Sequence, residues 1–132
     1  MTPKKDTHVK TIKKILIVED QADILKLLEI IFKGDDREIH LVKTGDEALA
    51  VAREIVPDVI LMDIMLPGGI DGYEVTRTLK SDSRTSSCAV IAMTAKVQEQ
   101  DKQDAWAAGV DEFIGKPYRL DDLKEKVQKF LE

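Results

Sequence analysis

The stretch VILMDIMLPGGIDG, residues 59–72, decides the fold of this chain. Its first four residues are apolar, and they lead directly into a single carboxylate, Asp63. Pro57 and Asp58 precede the run, and a turn rich in Pro and Gly follows it. An apolar run bounded in this way is typical of a strand that is buried on both faces of a parallel sheet. Asp63 is therefore expected at the carboxyl end of that strand, at the sheet edge where α/β proteins bind ligands.

Length and composition favour one cytoplasmic globular domain. The chain has 132 residues, of which 43% are hydrophobic and 34% charged, which suffices for one domain with a hydrophobic core. No apolar run approaches the roughly 20 residues that span a membrane, and the N-terminal residues lack the apolar centre of a secretion signal. Cys88 is the single cysteine, so an internal disulfide is excluded, and with only His8 and His40 beside it a Cys/His metal cluster is excluded too.

The charge distribution separates a short basic tail from the domain. The net charge of −5 argues against a nucleic-acid-binding surface over the whole domain. Lysines cluster near the N-terminus, at Lys4, Lys5, Lys10, Lys13 and Lys14. We interpret residues 1–12 as a flexible, solvated tail, with docking to an acidic partner as the alternative, and residues 13–132 as the domain.

Five apolar strand segments alternate with five segments of helical spacing. The strands are predicted at residues 14–18, 38–42, 59–62, 89–93 and 112–114, and the second is expected at the sheet edge because it is less apolar. Thr44 with Glu47 predicts a capping box, Asp71 and Asp121 are predicted caps, and the fourth helix is predicted at residues 97–108. This alternation predicts parallel βαβ units with helices on both faces of one sheet.

Chemically active side chains stand at the carboxyl ends of four of these strands. They are Glu19 and Asp20, then Asp63, Thr94 and Lys116. Parallel strands end at one edge of the sheet, so three carboxylates, one hydroxyl and one ammonium are expected in a single shallow cleft. Clustered carboxylates repel one another without a cation, and oxygen ligands of this kind suit Mg²⁺. A cation, a lysine and a hydroxyl are also what a transferring phosphoryl group requires, with Asp63 as the nucleophile.

Taken together, these motifs resemble the receiver domains of response regulators in two-component signalling. The resemblance covers residues 14–132 and rests on ILIVED (15–20), PDVILMDIMLPG (57–68), DGYE (71–74), AVIAMTA (89–95) and AGVDEFIGKP (108–117). It implies a flavodoxin-like, doubly wound α/β fold with a five-stranded parallel sheet of order 2-1-3-4-5 and five helices.

The resemblance also implies roles for the residues at the strand ends. Asp63 is implied to accept a phosphoryl group from a phosphohistidine. Glu19, Asp20, Asp63 and the backbone carbonyl of Met65 are implied to hold Mg²⁺, for which Mn²⁺ is expected to substitute.

Further residues are implied to read out the phosphoryl group. Thr94 and Lys116 are implied to contact it, Phe113 occupies an aromatic switch position, and the Lys116–Pro117 peptide bond is expected to be cis. The face formed by the fourth helix, fifth strand and fifth helix is implied to change shape. Trp106 on the fourth helix is predicted to be a packing residue, and an exposed Trp106 would be a candidate partner contact.

Three features depart from the common family pattern, namely a longer turn, Phe113, and Glu19, which replaces a more frequent Asp and still offers a carboxylate. The turn PGGIDG is one residue longer than usual, and two adjacent glycines can accommodate the insertion. Phe113 lacks the hydroxyl that many relatives carry. Met65 and Lys96 lie where relatives flank the path of the attacking water, and Met65 cannot orient water, which predicts slow dephosphorylation.

The resulting hypothesis is a phosphoryl-accepting signalling switch that is not an enzyme but assists its own phosphorylation and dephosphorylation. Because the sequence ends at Glu132, we expect a stand-alone, single-domain protein without a DNA-binding domain, or else an excised fragment of a longer protein. The expected partners are a sensor histidine kinase or a histidine phosphotransfer protein, and an unidentified output partner. The alternative is a receiver fold used as a phosphorylation-independent adaptor.

Overall fold

A five-stranded parallel sheet with helices on both faces makes up the computed structural model, which describes residues 11–132. Residues 1–10, and with them most of the predicted basic tail, lie outside the described residues. The strands are β1 (Lys13–Val18), β2 (Arg37–Val42), β3 (Val59–Asp63), β4 (Ala89–Thr94) and β5 (Glu112–Gly115). The helices are α1 (Ala22–Phe32), α2 (Gly45–Ile55), α3 (Gly72–Ser81), α4 (Glu99–Ala108) and α5 (Leu120–Leu131).

The strand order is β2-β1-β3-β4-β5 and all pairs are parallel. The predicted flavodoxin-like fold, its strand order and its five helices are therefore confirmed. β3 and β4 are buried at every position, whereas β2 and β5 are partly exposed edge strands. β2 was expected at an edge because of its lower apolar content, and it lies there.

Side chains of each central strand alternate between two hydrophobic cores. Ile60 and Met62 face the first core, together with buried residues of α2, α3 and α4. Val59 and Leu61 face the second core, together with buried residues of α1 and α5. Both faces of β3 are therefore covered, which explains its continuous apolar sequence. Each such side chain stabilises the fold by roughly 1.5–3 kcal/mol on burial.

The predicted caps of α2 and α3 are present. The Thr44 hydroxyl oxygen accepts the Glu47 backbone N–H at 3.1 Å, and a Glu47 carboxylate oxygen accepts the Thr44 N–H at 3.2 Å. An Asp71 carboxylate oxygen accepts the Glu74 N–H at 2.9 Å. The predicted cap of α5 is wrong, because the N-cap is Arg119, two residues before Asp121. Asp121 lies within the first turn, where its charge still favours the helix N-terminus.

Helix α4 begins later than predicted, at Glu99 instead of residue 97. Gln98 is its N-cap, and the Asp101 carboxylate reaches back to accept the Gln98 N–H at 3.1 Å.

Trp106 on this helix is 49% exposed, so its prediction as a packing residue is wrong. Leu27 on α1 is also 49% exposed. No helix among residues 11–132 is long and apolar enough to cross a membrane.

The β3–α3 loop accommodates its additional glycine on the solvent side. Gly68 adopts a left-handed φ of +79°, and a Cβ added there would meet no atom within 4 Å. The chain next to this loop is closely packed at two other glycines. A Cβ on Gly45 would lie 2.7 Å from the Ile70 side chain, and one on Gly72 would lie 2.7 Å from the Asp63 carbonyl oxygen. The start of α3 is therefore packed directly against the end of β3.

We expect Val56→Asn to raise the free energy of unfolding by about 1 kcal/mol, because Asn tolerates the left-handed conformation that costs a β-branched residue this amount. Val56 is the C-cap of α2, with φ of 47°, and it is exposed. Urea denaturation measures the change. Ile30→Asn, at an exposed position inside α1, is the control and should not stabilise. A destabilised Val56→Asn variant would contradict the assignment of strain to Val56.

Candidate functional site

Three carboxylates meet where β1 and β3 end. Glu19 and Asp20 follow β1, and Asp63 is the last residue of β3. One carboxylate oxygen from each residue lies within 4.8 Å of the other two. Glu19 is 1% exposed and Asp63 is 3% exposed, whereas Asp20 is only partly buried. The sequence placed these residues at one sheet edge, and the structure brings them together.

Lys116 supplies the positive charge of the cluster. Its ammonium nitrogen lies 3.4 Å from an Asp63 carboxylate oxygen and 3.7 Å from a Glu19 carboxylate oxygen. Its backbone N–H donates to the Thr94 carbonyl oxygen at 2.8 Å, which connects it to the end of β4. The Lys116–Pro117 peptide bond is cis. The cluster contains one ammonium and three carboxylates, so it carries excess negative charge when all three are ionised.

The state of Glu19 shows that the cluster is short of positive charge. The pKa of Glu19 is raised from 4.5 to about 7, chiefly by burial and also by the charge of Asp63, against the opposing effects of the Gln21 N–H and Lys116. One Glu19 oxygen accepts the Gln21 N–H at 3.1 Å. The other is the only buried side-chain polar atom without a hydrogen bond within residues 11–132. A buried carboxylate oxygen without a hydrogen-bond partner, beside two further carboxylates, belongs to a set of oxygen ligands that suits a hard divalent cation.

The two oxygens of Asp63 have different surroundings. One accepts the Met65 backbone N–H at 3.0 Å, and the other faces Lys116. The β3–α3 loop therefore fixes the orientation of the carboxylate, which leaves the second oxygen directed toward the one ammonium group of the cluster. Asp63 is itself 3% exposed, whereas the Met65 side chain is 53% exposed.

Thr94 and Phe113 lie on neighbouring strands beside the cluster. Thr94 is fully buried at the end of β4, where its hydroxyl oxygen accepts the Lys96 backbone N–H at 3.1 Å. In the β4–β5 register Thr94 pairs with Gly115, the residue before Lys116. Phe113 is partly buried and packs against the first core.

A cavity of about 420 Å³ adjoins the carboxylate cluster. Asp20, Met65, Tyr73, Lys96 and Asp101 are among the residues that line it, and Asp71 and Asp104 add further negative charge. Asp101 and Asp104 were not singled out in the sequence. Their i, i+3 spacing on the first turns of α4 was the available signal, because such residues share a helix face.

The arrangement is suited to accepting a transferring phosphoryl group. It combines an oriented carboxylate, a lysine ammonium, a buried hydroxyl on the adjacent strand and a carboxylate pair suited to a cation. Charge in phosphoryl transfer is spread over three oxygens, so positioning and positive charge provide most of the catalysis.

Comparison with known proteins identifies a family with this arrangement of strands. The model of the response regulator receiver domain family matches residues 15–128. A crystal structure of the receiver domain of sensor histidine kinase PA1611 from Pseudomonas aeruginosa PAO1, with a magnesium ion coordinated in the active-site cleft, has a TM-score of 0.81 and 28% identity. That match covers 92% of this chain and 98% of the PA1611 domain.

Curated relatives are longer than this chain. It is 33% identical over 116 residues to the DNA-binding response regulator MtrA of Mycolicibacterium paratuberculosis, and 36% identical over 118 residues to the transcriptional regulatory protein ResD of Bacillus subtilis. These alignments cover 88% and 89% of this chain but 50% and 48% of the relatives, so the chain spans about half the length of the curated relatives it matches.

The relatives correct one expectation from the sequence. The prediction of signalling without a DNA-binding domain is wrong, because matched relatives are named as DNA-binding response regulators and the similarity stops at about half of their length. This points to a DNA-binding output domain in those relatives. That expectation was based on the position at which the given sequence ends, and this position contains no information about an output domain.

We expect Glu19→Gln to stabilise the metal-free protein at pH 8 by about 2 kcal/mol, because it removes a buried charge. The folded state keeps the Glu19 proton up to about pH 7, whereas an ordinary glutamate loses it near 4.5. The stability from protonated Glu19 is therefore full below pH 4.5 and lost as the pH rises to 7. The gain from the substitution should accordingly shrink toward pH 4.5.

Urea denaturation in EDTA across this pH range measures the effect, with Glu54→Gln on the exposed face of α2 as control. Added Mg²⁺ should stabilise the wild-type protein and stabilise the Glu19→Gln variant less. A variant less stable than wild type at pH 8 in EDTA would show that Glu19 is not an uncompensated buried charge.

Proposed function

Since this chain belongs to the family of response-regulator receiver domains, we propose that its carboxylate cluster is the phosphoryl-accepting site of a signalling switch, with Asp63 as the acceptor. Phosphorylation switching is the standard role of the family. The observation that carries the assignment is the Asp63 carboxylate, which is oriented by the Met65 N–H and faces the Lys116 ammonium at 3.4 Å.

We propose that Glu19, Asp20, Asp63 and the Met65 backbone carbonyl hold Mg²⁺, and that Mn²⁺ can replace it. The orphaned oxygen of Glu19 and the clustering of the three carboxylates within 4.8 Å support this ligand set. A bound divalent cation supplies positive charge to the oxygens of the incoming phosphoryl group. It also relieves the repulsion that raises the pKa of Glu19.

In the proposed transfer, an Asp63 carboxylate oxygen forms a bond to phosphorus while the P–N bond of a sensor kinase phosphohistidine breaks. The imidazole leaves with the bonding electron pair. Lys116 stabilises the charge on the phosphoryl oxygens, and the Thr94 hydroxyl donates a hydrogen bond to one of them. The chain acts as acceptor rather than enzyme, although these residues assist both the gain and the loss of its own phosphoryl group.

In this proposal, the effect of phosphorylation is transmitted from the site through the carboxyl ends of β4 and β5. A phosphoryl group adds about −1.5 to −2 charges at Asp63, which draws the Thr94 hydroxyl toward it. Phe113, which is partly buried on β5, then occupies the space that Thr94 vacates. The face formed by α4, β5 and α5 changes shape, and the half-exposed Trp106 lies on this face as a proposed partner contact. A shift between two existing populations is sufficient.

A cytoplasmic location is part of the proposal. The single cysteine is free and buried, which fits a reducing compartment, and the proposed phosphodonor is a cytoplasmic kinase domain. The alternative function, a phosphorylation-independent adaptor, is not favoured, because the cluster carries the whole set of groups that phosphoryl transfer requires.

We expect Asp63→Asn to abolish phosphorylation of the purified chain by acetyl phosphate and Mg²⁺, because an amide oxygen does not form the acyl phosphate. Intact mass spectrometry measures the gain of one phosphoryl group. Asp35→Asn, at an exposed turn before β2, is the control and should react like the wild type. Equal labelling of Asp63→Asn would overturn the assignment of the acceptor.

We expect Met65→Asn to shorten the lifetime of the phosphorylated protein severalfold, because an amide can orient an attacking water and a thioether cannot. Met65 is 53% exposed and lines the cavity beside the cluster together with Lys96. Decay of the phosphoprotein after removal of the phosphodonor gives the rate. Met65→Leu is the matched control and should keep the wild-type lifetime, while an unchanged lifetime of Met65→Asn would contradict this role.

A further inference from the structure

The segment between β4 and α4, residues 95–98, is connected to the functional site through Thr94. Lys96 donates its backbone N–H to the Thr94 hydroxyl oxygen at 3.1 Å. Thr94 is fully buried, so its hydroxyl cannot move toward Asp63 without acting on the Lys96 amide. Any movement of the Thr94 side chain is therefore transmitted to residues 95–98.

A hydrogen bond from α3 holds the far end of this segment. The Tyr73 hydroxyl donates to the Asp101 carbonyl oxygen at 3.2 Å. Asp101 lies in the first turn of α4, and its carboxylate accepts the N–H of the N-cap residue Gln98. Tyr73 packs against the first core and lies two residues after the cap of α3, Asp71. The hydroxyl therefore ties the start of α4 to a packed residue of a different helix.

The middle of the segment occupies space beside β5 that a glycine at position 115 leaves free. A Cβ added to Gly115 would lie 2.5 Å from Cγ1 of Val97, and the Val97 Cβ would be 3.7 Å away. The first distance is a clash and the second an ordinary contact. Val97 therefore lies in the space that any other residue at position 115 would fill, immediately before Lys116.

We propose that Tyr73 is a positioning residue that holds the β4–α4 segment in the observed arrangement, and that Gly115 leaves the space that Val97 occupies. Together these contacts set the affinity of the site for a phosphoryl group. The inference rests on the proposed function in one respect, which is that a phosphoryl group on Asp63 draws Thr94 toward it. Moving Thr94 then works against the Tyr73 bond and the Val97 contact.

The direction of the effect follows from linkage. A ligand shifts a conformational equilibrium only by its differential affinity for the two arrangements. Contacts that favour the observed arrangement reduce the fraction of molecules competent to bind, and so they weaken the apparent affinity. Removal of the Tyr73 hydroxyl should therefore tighten binding of a phosphoryl mimic, although Tyr73 contacts neither Asp63 nor Lys116 through a hydrogen bond among the described residues.

The experiment is calorimetric titration of the full chain with beryllofluoride at a fixed Mg²⁺ concentration. Tyr73→Phe removes the hydroxyl and retains the ring. We expect its apparent affinity to rise roughly two- to tenfold, the range that corresponds to one hydrogen bond. Trp106 is the single tryptophan and lies on α4, so without beryllofluoride its fluorescence in Tyr73→Phe should move part of the way toward the bound signal.

Thr78→Val is the matched control on the same helix. The Thr78 hydroxyl donates to the Glu74 carbonyl oxygen at 2.9 Å within α3, so its loss should leave the affinity at the wild-type value. An unchanged or weakened affinity of Tyr73→Phe would overturn the role of Tyr73. Absence of beryllofluoride binding by the wild type would instead overturn the proposed function, so the two failures are distinguishable.

Gly115→Ala tests independently whether Val97 requires the space beside Gly115. The added methyl displaces Val97, so we expect a tighter affinity for beryllofluoride than in the wild type. In a Val97→Ala background the clashing Cγ1 is absent, and the same substitution should then have no further effect. An equal effect of Gly115→Ala in both backgrounds would show that position 115 acts without Val97.

Discussion

Glu19, Asp20 and Asp63 hold three carboxylate oxygens within 4.8 Å of one another where two of the three residues are almost completely excluded from solvent. Like charges at this separation repel strongly, and burial increases the repulsion. A single ammonium, Lys116, offsets part of it. Burial, with a smaller contribution from the Asp63 charge, raises the pKa of Glu19. The same excess of negative charge suits the cluster to a divalent cation, which is the basis of the proposed phosphoryl-accepting site.

The sheet topology makes the cluster possible. β1 and β3 are adjacent and parallel, with Val18 paired to Met62, so the residues that follow them in the chain end side by side. β4 and β5 continue the same edge and add Thr94 and Lys116. Two cores of comparable size support the sheet from both faces. The strands are therefore packed on both sides, whereas the β4–α4 segment at the carboxyl edge is held by hydrogen bonds between side chains and backbone.

Local patterns predicted the sheet and the membership of the site because each signal was short in range. The apolar run of β3 indicated that this strand is buried, and the single carboxylate at its end indicated the edge of the sheet. Thr44 with Glu47 indicated the start of a helix. Features that depend on distant partners were not predictable. Trp106 has an apolar surface, but nothing in the sequence shows that the core leaves it half-exposed. The bond from Tyr73 to Asp101 joins residues 28 positions apart, and no pattern along the chain reports it.

Chemical identification of the phosphorylated residue tests the central claim most directly. The wild-type protein would be treated with acetyl phosphate and Mg²⁺, reduced with borohydride, which converts an aspartyl phosphate to homoserine, and mapped by peptide mass spectrometry. The account predicts homoserine at position 63 alone, and none when EDTA replaces Mg²⁺. Homoserine at position 20 instead of position 63, or equal modification of Asp63 in EDTA, would contradict a site in which a cation and Lys116 activate Asp63 toward a phosphoryl group.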